Sequence, residues 1–240
     1  MSLAVKLALA PLLAFQAVAT RRRAPELPEA AGPRQGRVGA GEALGVLIVG
    51  DSSAAGVGVR TQDQALAGHL TRRLAQRTRR CVRWQLVARS GLTSAQALEL
   101  LQSARPAPAE LAIVVLGVND VVQQVPSHRA VAQRAALVDD LSRRGVRQVV
   151  FAPLPPMHRF PLLPQPLRWV AGRDARRHDR AVAHWAGQCA GVTHVPIDYD
   201  LGPAAMAEDG FHPGEPVYRA CGEALADHIA DHLIYWETPA

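Results

Sequence analysis

A serine, an asparagine and an aspartate–histidine pair stand in three short stretches of the chain: Gly50-Asp51-Ser52, Gly117-Val118-Asn119-Asp120 and Asp209-Gly210-Phe211-His212. A serine hydroxyl attacks an acyl carbon only when a neighbouring base takes its proton, and imidazole is the side chain that does so near neutral pH. A carboxylate on the far ring nitrogen holds the imidazole in the right tautomer, and a neutral amide N–H can stabilise an oxyanion without titrating. Asp209 and His212 are three apart in a loop that Gly210 and Pro213 tighten, so the carboxylate can meet one imidazole nitrogen while the other faces Ser52. The inventory is that of an acyl-transfer hydrolase. Ser53 is the rival hydroxyl to Ser52, because a motif does not show which of two neighbours faces a cleft. Asp51 is read as the acceptor that fixes the turn, as Asp does near a helix start, rather than as a base.

Such groups work only if secondary structure converges on them. Continuous apolar runs at Leu44 to Val49, Val82 to Ala88, Leu111 to Leu116, Arg147 to Ala152 and Val192 to Ile197 have the length and composition of buried strands. Helical patterns lie between and after them, at Gln64 to Thr78, Thr93 to Ser103, Arg129 to Arg144, Asp174 to Cys189 and Glu215 to Tyr235. Strands alternating with helices predict an α/β domain with a parallel sheet, whose ligands bind beyond the carboxyl ends of the strands. Gly50, Ser90-Gly91 and Gly117 to Asp120 all fall at such ends. The stretch Pro153 to Gly172 holds six prolines together with Leu154, Met157, Phe160, Leu163 and Trp169, and is expected to form an apolar lid or pocket wall that binds substrate.

Taken in order, Gly50-Asp51-Ser52 with Gly56, then Gly91, then Gly117-x-Asn119-Asp120, then Asp209-x-x-His212 resemble the blocks of the GDSL or SGNH hydrolase superfamily. The resemblance runs from about Leu44 to Ile234. It implies a flavodoxin-like three-layer α/β/α sandwich around a five-stranded parallel sheet, with Ser52 as nucleophile, His212 as base and Asp209 as its orienter. It also implies an oxyanion hole built from the Ser52 and Gly91 backbone N–H groups and the Asn119 side-chain amide. Ser53 stands where the family often has Leu, a departure that leaves every one of these groups in place. Asp120 is expected to bond neighbouring loop backbone.

Other chemistries find less support. Lys plus Arg exceed Asp plus Glu by 27 to 21, a net charge of +6, with Lys6 the sole lysine. The basic stretches Arg21 to Arg23 and Arg72, Arg73, Arg77, Arg79, Arg80 lack the interleaved aromatics of a single-strand stacking surface, so no nucleic-acid partner is expected. The second stretch reads as a solvated helix face. Cys81, Cys189 and Cys221 are an odd number without CxxC spacing, which suggests small buried hydrophobes rather than a disulfide framework or zinc site. His228 and His232, with Asp227 and Asp231, have a metal-compatible spacing on one helix but no third ligand nearby, so no metal is expected. Gly56-x-Gly58 is followed by neither a dinucleotide fingerprint nor a phosphate-binding lysine, and no cofactor is expected.

Residues 1–23 hold an apolar run interrupted by Pro11 and Gln16 and closed by Arg21 to Arg23. The run is short for a membrane span, and Ala17-Val18-Ala19 fits a small-x-small cleavage pattern. Positive charge just after it resists translocation, which favours an uncleaved membrane-associated segment with the domain on the cytoplasmic face; the alternative is export after cleavage. Residues 24–43 read as a Pro/Gly-rich linker and 44–236 as the hydrolase domain. The expected reaction is hydrolysis of a fatty acyl ester, thioester or lysophospholipid, a small-molecule or lipid substrate, by a GDSL-type serine esterase or lipase. The alternatives are a carbohydrate O-acetyl esterase and a silent lipid- or glycan-binding domain of the same fold.

Overall fold

The computed structural model describes residues 3–198 and 200–232, with side chains of the first helix from residue 9 onward. Helix α1 (Leu3–Arg23) precedes strand β1 (Gln35–Val38). There follow β2 (Ala43–Gly50), α2 (Ser52–Ala55), α3 (Leu66–Thr78), β3 (Cys81–Ala88), α4 (Ser94–Ala104), β4 (Leu111–Val115), α5 (Val118–Val122) and α6 (Ser127–Arg143). The chain continues through β5 (Gln148–Phe151), a 3₁₀ turn (Met157–Arg159), α7 (Leu167–Ala186), β6 (Val192–His194) and α8 (Glu215–His232). The expected helix end at Tyr235 and domain end at 236 lie outside the described residues.

The five expected runs form the parallel strands β2 to β6, and a sixth strand extends the sheet in the order β1-β3-β2-β4-β5-β6. The five-strand expectation is thereby corrected. Strand β1 pairs antiparallel with β3 and carries no apolar run, because one edge of the strand is free and its side chains are only half-covered. Gly36 sits there under the Trp84 indole, where a Cβ would stand 2.8 Å from Nε1.

Strand β2 is buried along almost its entire length, and its alternate residues feed opposite faces of the sheet. Leu44, Val46 and Ile48 pack with Leu66, Leu70 and Leu74 of α3 and Leu225 and Ile229 of α8. Leu47 and Val49 pack with Leu101 of α4, Leu137 and Leu141 of α6 and Val182 of α7. This is why the strand sequence is continuously apolar while α3 and α6 are apolar on one stripe only.

The arginines of α3 are not simply solvated, as the sequence suggested. Arg73 and Arg77 both reach Asp227 of α8, at 2.7 and 2.8 Å, and Arg77 also pairs with Asp231. The Asp/His array of α8 is therefore occupied with helix–helix pairing, and its His228 and His232 rings stack on each other. No group of residues that could hold a metal occurs among the described residues.

Residues 24–43, expected as a linker, are instead part of the domain. Besides β1, they supply Ala30, whose carbonyl accepts from the buried Gln62 amide at 3.1 Å, and Glu29, which accepts from both the N–H and the hydroxyl of Ser90. Pro and Gly content suggested a flexible arm, but the segment wraps across the carboxyl edge of β3. The expected loop Pro153 to Gly172 is also shorter than anticipated, because α7 begins at Leu167.

Candidate active site

Register brings the three loops together. Gly50 at the end of β2 lies opposite Ala88 of β3 and Val115 of β4, so the chain leaves all three strands at one level. A Cβ on Gly50 would stand 2.4 Å from the Ala54 Cβ and 2.5 Å from the Val115 carbonyl oxygen, so the tight strand-to-helix turn requires glycine there. Asp51 then caps α2, its carboxylate accepting from the Ser53 N–H at 3.0 Å. Ser52 is thereby presented at the first turn of α2.

Ser52 Oγ lies 3.1 Å from His212 Nε2, and His212 Nδ1 lies 2.5 Å from Asp209 Oδ2. With the proton on Nδ1 donated to Asp209, the ring presents a bare Nε2 as acceptor for the serine hydroxyl. Of the two neighbouring serines, Ser52 is the one whose hydroxyl meets the imidazole. The other carboxylate oxygen of Asp209 accepts from the N–H groups of Phe211 and His212, both at 2.9 Å, which fixes the loop. Burial alone would raise the Asp209 carboxyl; the His212 imidazole and those two N–H groups outweigh it and hold the carboxyl below its usual range. Gly58 lies against the same loop at φ +101°, where a Cβ would stand 2.3 Å from the Pro213 carbonyl oxygen.

Gly91 adopts φ +83°, with open space where a Cβ would be. Among the described residues its N–H has no internal acceptor, nor does the N–H of Ser52. The Asn119 amide, by contrast, is engaged: Nδ2 donates to Asp51 Oδ2 at 3.3 Å and to the Leu92 carbonyl at 3.1 Å. Asn119, at the start of α5, thus reaches the loop that carries Gly91, but shares its donor hydrogens with protein acceptors.

Asp120 does more than the expected loop bonding. It is fully buried, accepts from the N–H and hydroxyl of Ser94 at 3.0 and 2.6 Å, and pairs with the buried Arg134 at 3.1 Å. Arg134 also donates to the Leu116 carbonyl, so one guanidinium braces the β4–α5 loop from behind. Burial lowers the affinity of Arg134 for its proton, opposed by Asp120. Arg134, Ser94 and Glu29 were not singled out from sequence. Their signal, a polar or charged residue on the buried side of a helix or in a Pro-rich arm, is readable only once that element is known to face the sheet.

An apolar pocket opens beside Ser52 and His212, walled by Leu66, Phe160, Phe211, Val217, Tyr218 and Cys221 among others. Of the residues expected to form an acyl-binding lid, Phe160 lines it, edge-on to Phe211 at 5.2 Å. The others do not. Met157, the first residue of the 3₁₀ turn, and Leu163 are buried in the core, Leu154 borders a second, more polar cavity with Asp179 and His194, and Trp169 is exposed on α7. Pro153 and Pro155 of the same stretch also line the pocket, together with Leu66 of α3 and Val217, Tyr218 and Cys221 of α8, helices which sequence reading treated as scaffold.

Comparisons with known proteins place the chain in a family and match its fold. Residues 48–220 match the model of the GDSL-like lipase/acylhydrolase family, and the chain belongs to that family. It is 29% identical over 198 residues to a GDSL-like esterase of Mycobacterium tuberculosis, covering 78% of this chain; the match spans 62% of that relative's length. The fold resembles the crystal structure of TesA, with a TM-score of 0.56 at 23% identity over 77% of this chain and 97% of the other. It likewise resembles the psychrotrophic esterase EstA from a Pseudoalteromonas species, with a TM-score of 0.57 at 20% identity over 79% and 98% of the two chains.

Proposed function

We propose that the protein hydrolyses carboxylic esters of apolar acyl groups through an acyl-enzyme on Ser52. The observation that carries this reading is the hydrogen-bonded series Ser52–His212–Asp209 at the mouth of an apolar pocket. His212 Nε2 takes the Ser52 proton as Oγ bonds to the acyl carbon, and the developing oxyanion meets the N–H groups of Ser52 and Gly91. Asn119 joins them by exchanging an internal acceptor for the oxyanion. Collapse breaks the ester C–O bond, and the proton on His212 goes to the leaving alkoxide. Water then attacks the acyl-enzyme with His212 again as base, which releases the acid and restores Ser52.

The apolar walls favour fatty acyl esters, thioesters or lysophospholipids over acetylated sugars, because burying each additional methylene contributes roughly 0.8 kcal/mol. The test is turnover of p-nitrophenyl esters of graded chain length by the wild type and Ser52→Ala. We expect rates that rise beyond acetyl and a variant slower by on the order of 10⁴-fold or more with its fold intact. Undiminished turnover in Ser52→Ala would remove the nucleophile assignment, and a preference for acetyl would favour the carbohydrate esterase reading.

A further inference from the structure

Helix α1 lies against the segment that leads from the proline-rich loop into α7. Gln16 donates to the Gln165 carbonyl at 2.7 Å and accepts from the Leu167 N–H at 3.1 Å, so one side chain binds both polar groups of that backbone. Leu9, Leu13, Gln16 and Thr20 are half-buried at helical spacing and form the inner face. The outer face is apolar as well. Leu12, Phe15 and Val18 are 44, 72 and 52% exposed, and Trp169, in the first turn of α7 that Gln16 holds, is 45% exposed. Four of the five large hydrophobic side chains exposed among the described residues therefore occur in these two adjoining elements; Val122 is the fifth. Arg21, Arg22 and Arg23 complete the last turn of α1, all exposed.

An outer face of Leu, Phe and Val ending in three arginines has no counterpart in water. No helix among the described residues is long and apolar enough to cross a membrane. A helix with one face on the protein, the other apolar and a basic end fits the plane of a lipid surface, where apolar side chains enter the acyl boundary and arginines meet headgroups. A Trp with one wet and one apolar end suits the same depth. We infer that α1 and Trp169 form a docking surface for an anionic bilayer, and that Gln16 ties this surface to the segment bearing Phe160. The sign of the charge selects the lipid: an anionic headgroup pairs with Arg21 to Arg23, a zwitterionic one does so poorly.

The docking surface does not rest on the proposed ester chemistry, and its test reads binding separately from turnover; only the tie through Gln16 rests on that reading. The full chain is floated with vesicles of phosphatidylglycerol and of phosphatidylcholine, alongside Phe15→Asp and the triple variant Arg21→Gln, Arg22→Gln, Arg23→Gln. Circular dichroism and turnover of a water-soluble ester check that both variants keep the fold. We expect flotation with phosphatidylglycerol that weakens with salt, falls on the order of 100-fold in the triple variant at about fivefold per charge, and is lost in Phe15→Asp. Equal binding of all three proteins, or none by the wild type, would overturn the inference. A dimer that Phe15→Asp dissolves, without vesicle binding, would assign the face to a second copy instead. A mature chain beginning after Arg23 in its native cell would also overturn it. The coupling through Gln16 is read by Gln16→Ala, which is expected to float normally yet lose the stimulation of turnover that vesicles give the wild type; unchanged stimulation in the variant, or none in the wild type, would refute the tie.

Discussion

Asp51 accepts from the Ser53 N–H and from the Asn119 amide while buried, and loss of hydration pushes its carboxyl up to about 6 even though the Ser53 N–H favours the charge. A carboxyl raised above its unfolded value stabilises the folded chain most at low pH, and this contribution disappears as pH rises through 6. Asp51→Asn should therefore flatten the wild type's pH dependence, removing about 1 kcal/mol of the stability difference between pH 5 and pH 8 in urea titrations. Asn119→Ala removes an amide from beside the oxyanion position. On the proposed mechanism it should lower kcat by about 10²- to 10³-fold with KM little changed, as measured by steady-state kinetics. A larger rise in KM than fall in kcat would instead make Asn119 a ground-state binding group.

Between the elements, the loops after β3 and β4 are fastened to each other before any substrate arrives. Asp120 joins the start of α4 through Ser94, Arg134 of α6 answers Asp120, and Asn119 reaches the Leu92 carbonyl. Arg134→Met would leave the Asp120 carboxylate buried without a cation, at a cost of about 3–5 kcal/mol measurable by urea unfolding. Removing both charges, with Asp120→Asn added, should recover part of that loss, since a neutral amide is far cheaper to bury. Element identity was legible because β2 and β4 are continuous apolar runs and α3 and α6 are one-faced. Strand β1 was not, because an edge strand with half-covered side chains has no apolar signature. Ser52, Asp209 and His212 were readable from spacing, whereas Glu29 and Arg134 act across the fold through partners 61 and 14 residues away in sequence. The expected lid or pocket wall was legible only in part: Pro153, Pro155 and Phe160 line the pocket, whereas Met157 and Leu163 turn inward, because apolar residues in a Pro-rich stretch face the core as readily as a ligand.

Over the whole molecule, the sheet order places β2 near the middle with β3 and β4 as neighbours, so the nucleophilic loop is flanked on both sides by the other two loops. The Asp209–His212 loop then arrives from just before α8, which packs on α3 and walls the apolar pocket with Tyr218, whose hydroxyl donates to the Val57 carbonyl at 2.6 Å. That last contact ties the final helix to the segment just after Ser52. The Ser52–His212 hydrogen bond spans 160 positions of sequence, and this separation has a consequence for the timing of biogenesis. A ribosome-bound chain that has already exposed β2, β3 and β4 carries its serine but neither the base nor α8, so the hydroxyl is chemically dormant while most of the sheet is present. Stalled chains of increasing length, treated with a fluorophosphonate that labels activated serines, should stay unlabelled until residues beyond His212 and much of α8 have left the exit tunnel. On the proposed mechanism, hydrolytic competence would then be conferred as a single late event in synthesis.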